Sequence, residues 1–273
     1  MNLSFAFHSW RRDIGNFSLL KYRDFQGFLI TGQHSGTHWL KYMLSLALAD
    51  RYDLPPPQHT NNPDSNDFIG NPKHPRKYTH TPRLASSHNI PNPLMRTGIT
   101  HKFVKFPPYV ILVRDIRAAL VSHYEKHKER YDIDFSRFVR GNPAGDRHWA
   151  DIWWHIRFCN SWGKINRLVP DNTLVVHYEQ LQQDPMSHLV QIRDFFKLDL
   201  HDSNLEFGVE HSSKKDMAAR EKEKPEEKSY RFIRFDSRDP LSWYAEEDIR
   251  QFRAILDAHL KYRFDYDYDG KWT

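Results

Sequence analysis

The 273-residue chain sets 40 Lys and Arg against 35 Asp and Glu, a formal net charge of +5, with 39% hydrophobic residues. That is enough apolar chain for one sizeable core, and no apolar run approaches the roughly 18 residues of a membrane-spanning helix. The single cysteine, Cys159, excludes an internal disulfide framework and a Cys-rich metal centre.

Near the N-terminus, Arg11-Arg12 is followed by Asp13, Ile14, Gly15 and Asn16. No apolar export segment follows, so a cytoplasmic setting is expected. Residues 25–31 (FQGFLIT) read as a buried strand ended by Gly32. In 37–50, Trp39, Leu40, Met43, Leu44 and Ala47 fall at helical spacing and predict an amphipathic helix. Nine of the 16 prolines lie in 53–100, which reads as a long irregular excursion. A strand is predicted at 109–113 and a helix at 116–129. Trp149, Trp153, Trp154 and Trp162 then mark a helical, core-forming stretch. A strand at 173–178 and a helix at 185–196 follow. The charged run 214–228 reads as a solvated helix or loop. A last helix at 245–262 opens on Glu246, Glu247 and Asp248, which suit its positive end. Strands alternating with helices predict an α/β fold, 1–273 forming a single domain with a central parallel sheet flanked by helices on both faces.

The chemistry concentrates at Thr31-Gly32-Gln33-His34-Ser35-Gly36-Thr37-His38-Trp39, where a strand passes through a small-residue turn into a helix. Unpaired backbone N–H groups at such a helix start, aided by the helix dipole, suit a phosphate or sulfate. Ser35 and Thr37 add hydroxyls, although a plain turn capped by Ser35 has the same pattern. A Walker A motif would place lysine after Gly36, and none is there, which disfavours Mg²⁺-dependent ATP or GTP hydrolysis. A second cluster follows the strand at 109–113: Arg114-Asp115 and, eight residues after the arginine, Ser122. An arginine at the carboxyl end of a strand, with a serine in the next helix, can converge on one phosphate.

Together, SGTHWL and RDIRAALVSHY resemble the two nucleotide signatures of the PAPS-dependent sulfotransferases of cytosolic type. PAPS is 3′-phosphoadenosine 5′-phosphosulfate, and PAP is the product it leaves. The resemblance implies a P-loop-like fold and a metal-free sulfuryl transfer from PAPS to a hydroxyl or amine of a small-molecule, carbohydrate or lipid acceptor. The mild net charge, with no RNP, zinc-finger or helix-turn-helix signature beside it, gives no expectation of a nucleic-acid partner, and homo-oligomerisation stays open. By the same resemblance, Ser35, Gly36, Thr37 and His38 hold the 5′-phosphate and sulfuryl group. Trp39 and Tyr178 flank the adenine, with Ser212 near the base. Arg114 and Ser122 grip the 3′-phosphate, joined by Arg234 or by its neighbours Arg231 or Arg238. The segment 214–234 becomes a lid. This chain has His34 where the family loop has lysine, Lys214 in place of an aromatic, and Arg234-Phe235-Asp236 in place of Arg-Lys-Gly.

Sulfuryl transfer, like phosphoryl transfer, passes through a loose in-line transition state governed by positioning and charge. It needs a base for the acceptor proton and a stabiliser for the leaving phosphate. Ala85-Ser86-Ser87-His88-Asn89-Ile90-Pro91 resembles the family's Lys-Thr-His-Leu-Pro element and makes His88 the expected base, with His80 second. His34 is the expected charge stabiliser if protonated, with His38 as the alternative. His123 and His127 stand at i, i+4, but no third metal ligand is evident, and the pair reads as exposed polar surface. A nucleotide kinase and a non-catalytic nucleotide-binding scaffold are the rival readings.

Overall fold

A strand buried on both faces must present apolar side chains alternately to two cores. In the computed structural model, which describes residues 3–16, 24–57, 64–70, 77–144, 148–213, 217, 238–270 and 272, five short strands form one sheet, and the central ones do this. The strands are β1 (Gly27–Thr31), β2 (Ile69–Gly70), β3 (Leu84–Ser87), β4 (Tyr109–Val113) and β5 (Thr173–His177). Their order is β2-β3-β1-β4-β5, and every pair is parallel. β1 and β4 are buried along their whole length.

The helices are α1 (Leu3–Ile14), α2 (Thr37–Arg51), α3 (Gly98–Phe103), α4 (Ile116–Tyr131) and α5 (Phe135–Arg140). Then come α6 (Ile152–Leu168), α7 (Tyr178–Gln183), α8 (Pro185–Phe196), α9 (Asp202–Glu210) and a C-terminal helix, Glu246–His259. On one face of the sheet, Phe28, Ile30, Tyr109 and Ile111 meet Leu120 of α4, Ile156 and Trp162 of α6, and Phe252 of the C-terminal helix. On the other, Leu29, Val110 and Leu112 meet Leu40 and Leu44 of α2, Leu189 and Ile192 of α8, and Leu205 of α9. The expected parallel sheet with helices on both faces is the fold. None of the described helices is long and apolar enough to cross a membrane.

Two expectations change, and a third falls largely outside the described residues. The stretch 53–100 is not irregular throughout, since β2 and β3 lie within it and α3 begins at its end. Trp153 is buried, but Trp149 is 48% exposed and not a core residue. The charged segment 214–234 and Arg231 and Arg234 within it lie outside the described residues, apart from buried Met217.

The strand order places the site. From β1 the chain crosses to β2 and β3 on one side, and from β4 it crosses to β5 on the other. The crevice between the carboxyl ends of β1 and β4 is therefore a topological switch point, where open α/β sheets bind ligands. Thr31 and Val113 end these strands, and the Gly32 N–H donates to the Leu112 carbonyl across the gap (2.9 Å).

Candidate active site

The turn after β1 delivers a helix start without a side-chain cap. Gly36 occupies the N-cap of α2 at φ 85° and, having no side chain, gives the helix no side-chain cap. Ser35 is not the cap; its buried hydroxyl turns toward the Gln33 carbonyl (3.5 Å). The N–H groups of the first turn thus lack intrahelical acceptors and sit at the positive end of the helix dipole. Gly36 is required twice over. Its backbone lies in the left-handed region, and a Cβ there would stand 2.4 Å from the Tyr178 ring.

Arg114, one residue beyond β4, reaches this turn. Its Nη1 donates to the His34 carbonyl (2.8 Å), and its guanidinium lies 4.6 Å over the Tyr178 ring. Its Nε is buried without a hydrogen-bond partner among the described residues. A buried charged donor left over beside uncapped amides is the arrangement an anion would complete. Neighbouring Arg117 is committed elsewhere. It forks onto Asp115, which caps α4, and packs on Tyr268 and Trp272. Glu179 ties the Asp115 N–H (3.2 Å) to the Tyr266 hydroxyl (2.6 Å), fixing the end of β5 against the Arg114 turn.

Other expected contacts assemble unevenly. The Trp39 indole donates to the Ser212 carbonyl (2.9 Å) and meets the Tyr178 ring edge-on at 6.4 Å. These three thus share one wall beside the turn. Ser122 is half-buried on α4, and no contact joins it to Arg114 among the described residues. Arg238 is exposed and lies over Trp243 (4.7 Å), away from the turn's contacts.

His88 follows β3, adjacent to β1. Its Nδ1 lies 2.8 Å from the Thr31 carbonyl and 3.0 Å from the Thr31 hydroxyl, which in turn accepts from Thr37 (2.9 Å). A carbonyl only accepts, so Nδ1 carries the proton and Nε2 keeps its lone pair. Burial pushes His88 below the ordinary imidazole value, opposed by the Thr31 hydrogen bond and reinforced by the Lys41 charge. Lys41, only 4% exposed, was not foreseen. Its ammonium donates to Asn66, burial lowers it to about 8, and its charge also helps hold His38 near 3, after burial. His80 is exposed and packs near Tyr52 and Tyr78 instead.

The histidine pair on α4 is not exposed surface. His123 is 0% exposed, and its Nδ1 lies 2.7 Å from the Nε2 of His34. Its ring stacks on Phe138 and Tyr131, aromatic partners that make an imidazole acceptable in the interior. Burial first, and then His123, Lys126 and His127, hold His34 well below its ordinary value, so here its imidazole is neutral at pH 7. His155 of α6 was also missed. It is buried with Nε2 unpartnered among the described residues, and the charges of Arg114 and His88 add to burial in lowering it to about 3.

A family profile described as the sulfotransferase domain matches residues 24–261. Among curated proteins, sulfotransferase 6B1 of Danio rerio is 28% identical over 132 residues, covering 45% of this chain. The match spans only 40% of that relative's length. Among solved structures, mouse sulfotransferase SULT7A1 complexed with PAP aligns with a TM-score of 0.56 at 18% identity, covering 91% of this chain and 90% of that one. Retinol dehydratase in complex with androsterone and inactive cofactor PAP aligns with a TM-score of 0.59 at 17% identity, covering 96% and 88%. At these identities the structural likeness is one of fold.

Proposed function

The chain belongs to the sulfotransferase domain family, and from that premise we propose that it moves a sulfuryl group from PAPS to a hydroxyl or amine of a small-molecule acceptor. The observation that carries this reading is the meeting of Arg114 with the uncapped turn at Gly36 through the His34 carbonyl. Two charge-binding elements from separate strands then face one crevice, as a nucleotide with phosphates at both its 3′ and 5′ ends requires.

PAPS, when bound, supplies an activated sulfuryl group on a phosphate leaving group. Ser35, Gly36, Thr37 and His38 are assigned to the 5′ end, where backbone N–H groups favour the growing negative charge. Arg114 and Ser122 are assigned to the 3′-phosphate. Trp39, Tyr178 and Ser212 form the adenine wall. His88 takes the acceptor proton on Nε2, its ring aimed by the Nδ1 hydrogen bond to Thr31. Burial, reinforced by the Lys41 charge, keeps His88 unprotonated and ready for that task.

The test is a thermal-shift titration with PAP, followed by PAPS turnover over an acceptor panel read by mass spectrometry. A PAP-dependent rise in Tm and an acceptor gaining one sulfuryl mass are expected. Stabilisation by PAP with no sulfated product would leave a nucleotide-binding scaffold, and Mg²⁺-dependent ATP turnover would revive the kinase.

A further inference from the structure

The geometry points to a divalent transition cation of the zinc class held by His34, His123 and His127, at the edge of the anion turn. One ring nitrogen from each lies within 4.8 Å of the other two. Ligand nitrogens around a tetrahedral ion with metal–nitrogen bonds of about 2.0–2.1 Å stand ~3.3 Å apart. The His34–His123 pair, at 2.7 Å, has only to open slightly. The remaining separations close by roughly 1.5 Å at most, within reach of small ring rotations.

Sequence spacing explains two of the three ligands. His123 and His127 are four apart on α4 and share one face. The third comes from the loop: His34 sits at φ 57°, a left-handed backbone uncommon for a residue with a Cβ, and Arg114 holds its carbonyl. Trp149 covers the trio, with its ring 5.2–6.5 Å from all three imidazoles.

The surroundings also prepare the ligands. The Nε2 of His123 lies 2.6 Å from the Tyr131 hydroxyl, an outer partner that holds the ring as in metal-bound histidines. With its proton on Nε2, His123 keeps a lone pair on Nδ1. The 2.7 Å contact then carries one proton, on the Nε2 of His34. On metal binding that proton passes to the Nδ1 of His34, so both facing nitrogens become donors and no net proton is lost. Burial lowers all three imidazoles, favouring the neutral ligand form. Three neutral imidazoles suit Zn²⁺, Co²⁺, Ni²⁺ or Cu²⁺ rather than Mg²⁺ or Ca²⁺, and they leave a fourth position for water or an anion.

The test is a Co²⁺ titration of the full chain after chelator treatment. One equivalent should bind with the intense visible absorption of a four-coordinate site, and Zn²⁺ should displace it. Tyr131→Phe should weaken binding roughly 10- to 100-fold, and His127→Gln by at least as much, with circular dichroism unchanged. The chain has 17 histidines, so weak six-coordinate absorption alone, or a signal indifferent to His127→Gln, would overturn the site. The signal needs no nucleotide, so its failure and the failure of PAP binding are separate results.

Discussion

Replacing His88 with glutamine is expected to lower kcat for sulfuryl transfer roughly 10²- to 10⁴-fold, the usual contribution of a positioned general base. PAP affinity should stay within about twofold, because the loss belongs to the transition state and not to donor binding. His88 must be neutral to accept the acceptor proton, so activity falls as pH drops through its pKa. Burial, aided by Lys41, sets that pKa below the ordinary 6.5. The acid limb of kcat/KM, which reports the free enzyme, should therefore lie below pH 6.5. Steady-state kinetics from pH 5 to 8, with PAP calorimetry on both proteins, checks this. Unchanged turnover would remove His88 from the chemistry. An equal loss of PAP affinity would make it a structural support of β1 instead.

Acidification to pH 5 is expected to destabilise the fold strongly even without substrate. Burial, with lesser help from cationic neighbours, holds His123 near 2 and His155 near 3. Both are buried. In the unfolded chain each titrates near 6.5, so between pH 6.5 and 3 the unfolded state binds more protons and stability falls with pH. At pH 5 each contributes a loss of about 2 kcal/mol relative to pH 7. Asp151, raised by burial to about 6, works in the opposite sense. Its native carboxyl takes up a proton first, which offsets about 1 kcal/mol. These three groups together give a loss of about 3 kcal/mol, a Tm lower by roughly 6–12 °C for a chain of this size, and the lowered His34, His38 and His88 add to it. Calorimetric scans at pH 7 and pH 5, with chelator present, measure it. A Tm that holds or rises at pH 5 would show that these histidines titrate as solvated groups.

The sequence carries the centre of the fold more clearly than its margins. β1 and β4 are continuous apolar runs because both faces are covered, and α8 falls at 185–196 as its spacing predicts. β3 escaped notice because Leu84-Ala85-Ser86-Ser87 is short and half small or polar. Its strand geometry comes from parallel pairing with β1 and β2 and not from its own pattern. Lys41 was assigned no role because a lysine on an amphipathic helix belongs on the wet side. Yet α2 is enclosed by the sheet on one flank and by α9 on another, so even its polar positions are covered. His123 was misread for a related reason. Its environment is built by Phe138, Tyr131 and His34. Tyr131 does share its helical face, at i+8, but Phe138 on α5 and His34 in the turn after β1 come from other elements, which one-dimensional periodicity does not report. The anion turn itself was legible because its chemistry is local: a strand, small residues and a helix start in nine consecutive positions.

The central claim is that Arg114 and the Gly36 turn grip opposite ends of one doubly phosphorylated adenosine. It is tested most directly by titrating the wild-type protein and Arg114→Ala with PAP and with 5′-AMP, which lacks the 3′-phosphate. A charged hydrogen bond contributes about 1.5–3 kcal/mol, so PAP should bind the variant roughly 10- to 150-fold more weakly while 5′-AMP changes less than about threefold. If both nucleotides weaken by the same factor, or neither does, Arg114 does not hold the 3′-phosphate and the two elements do not serve one ligand.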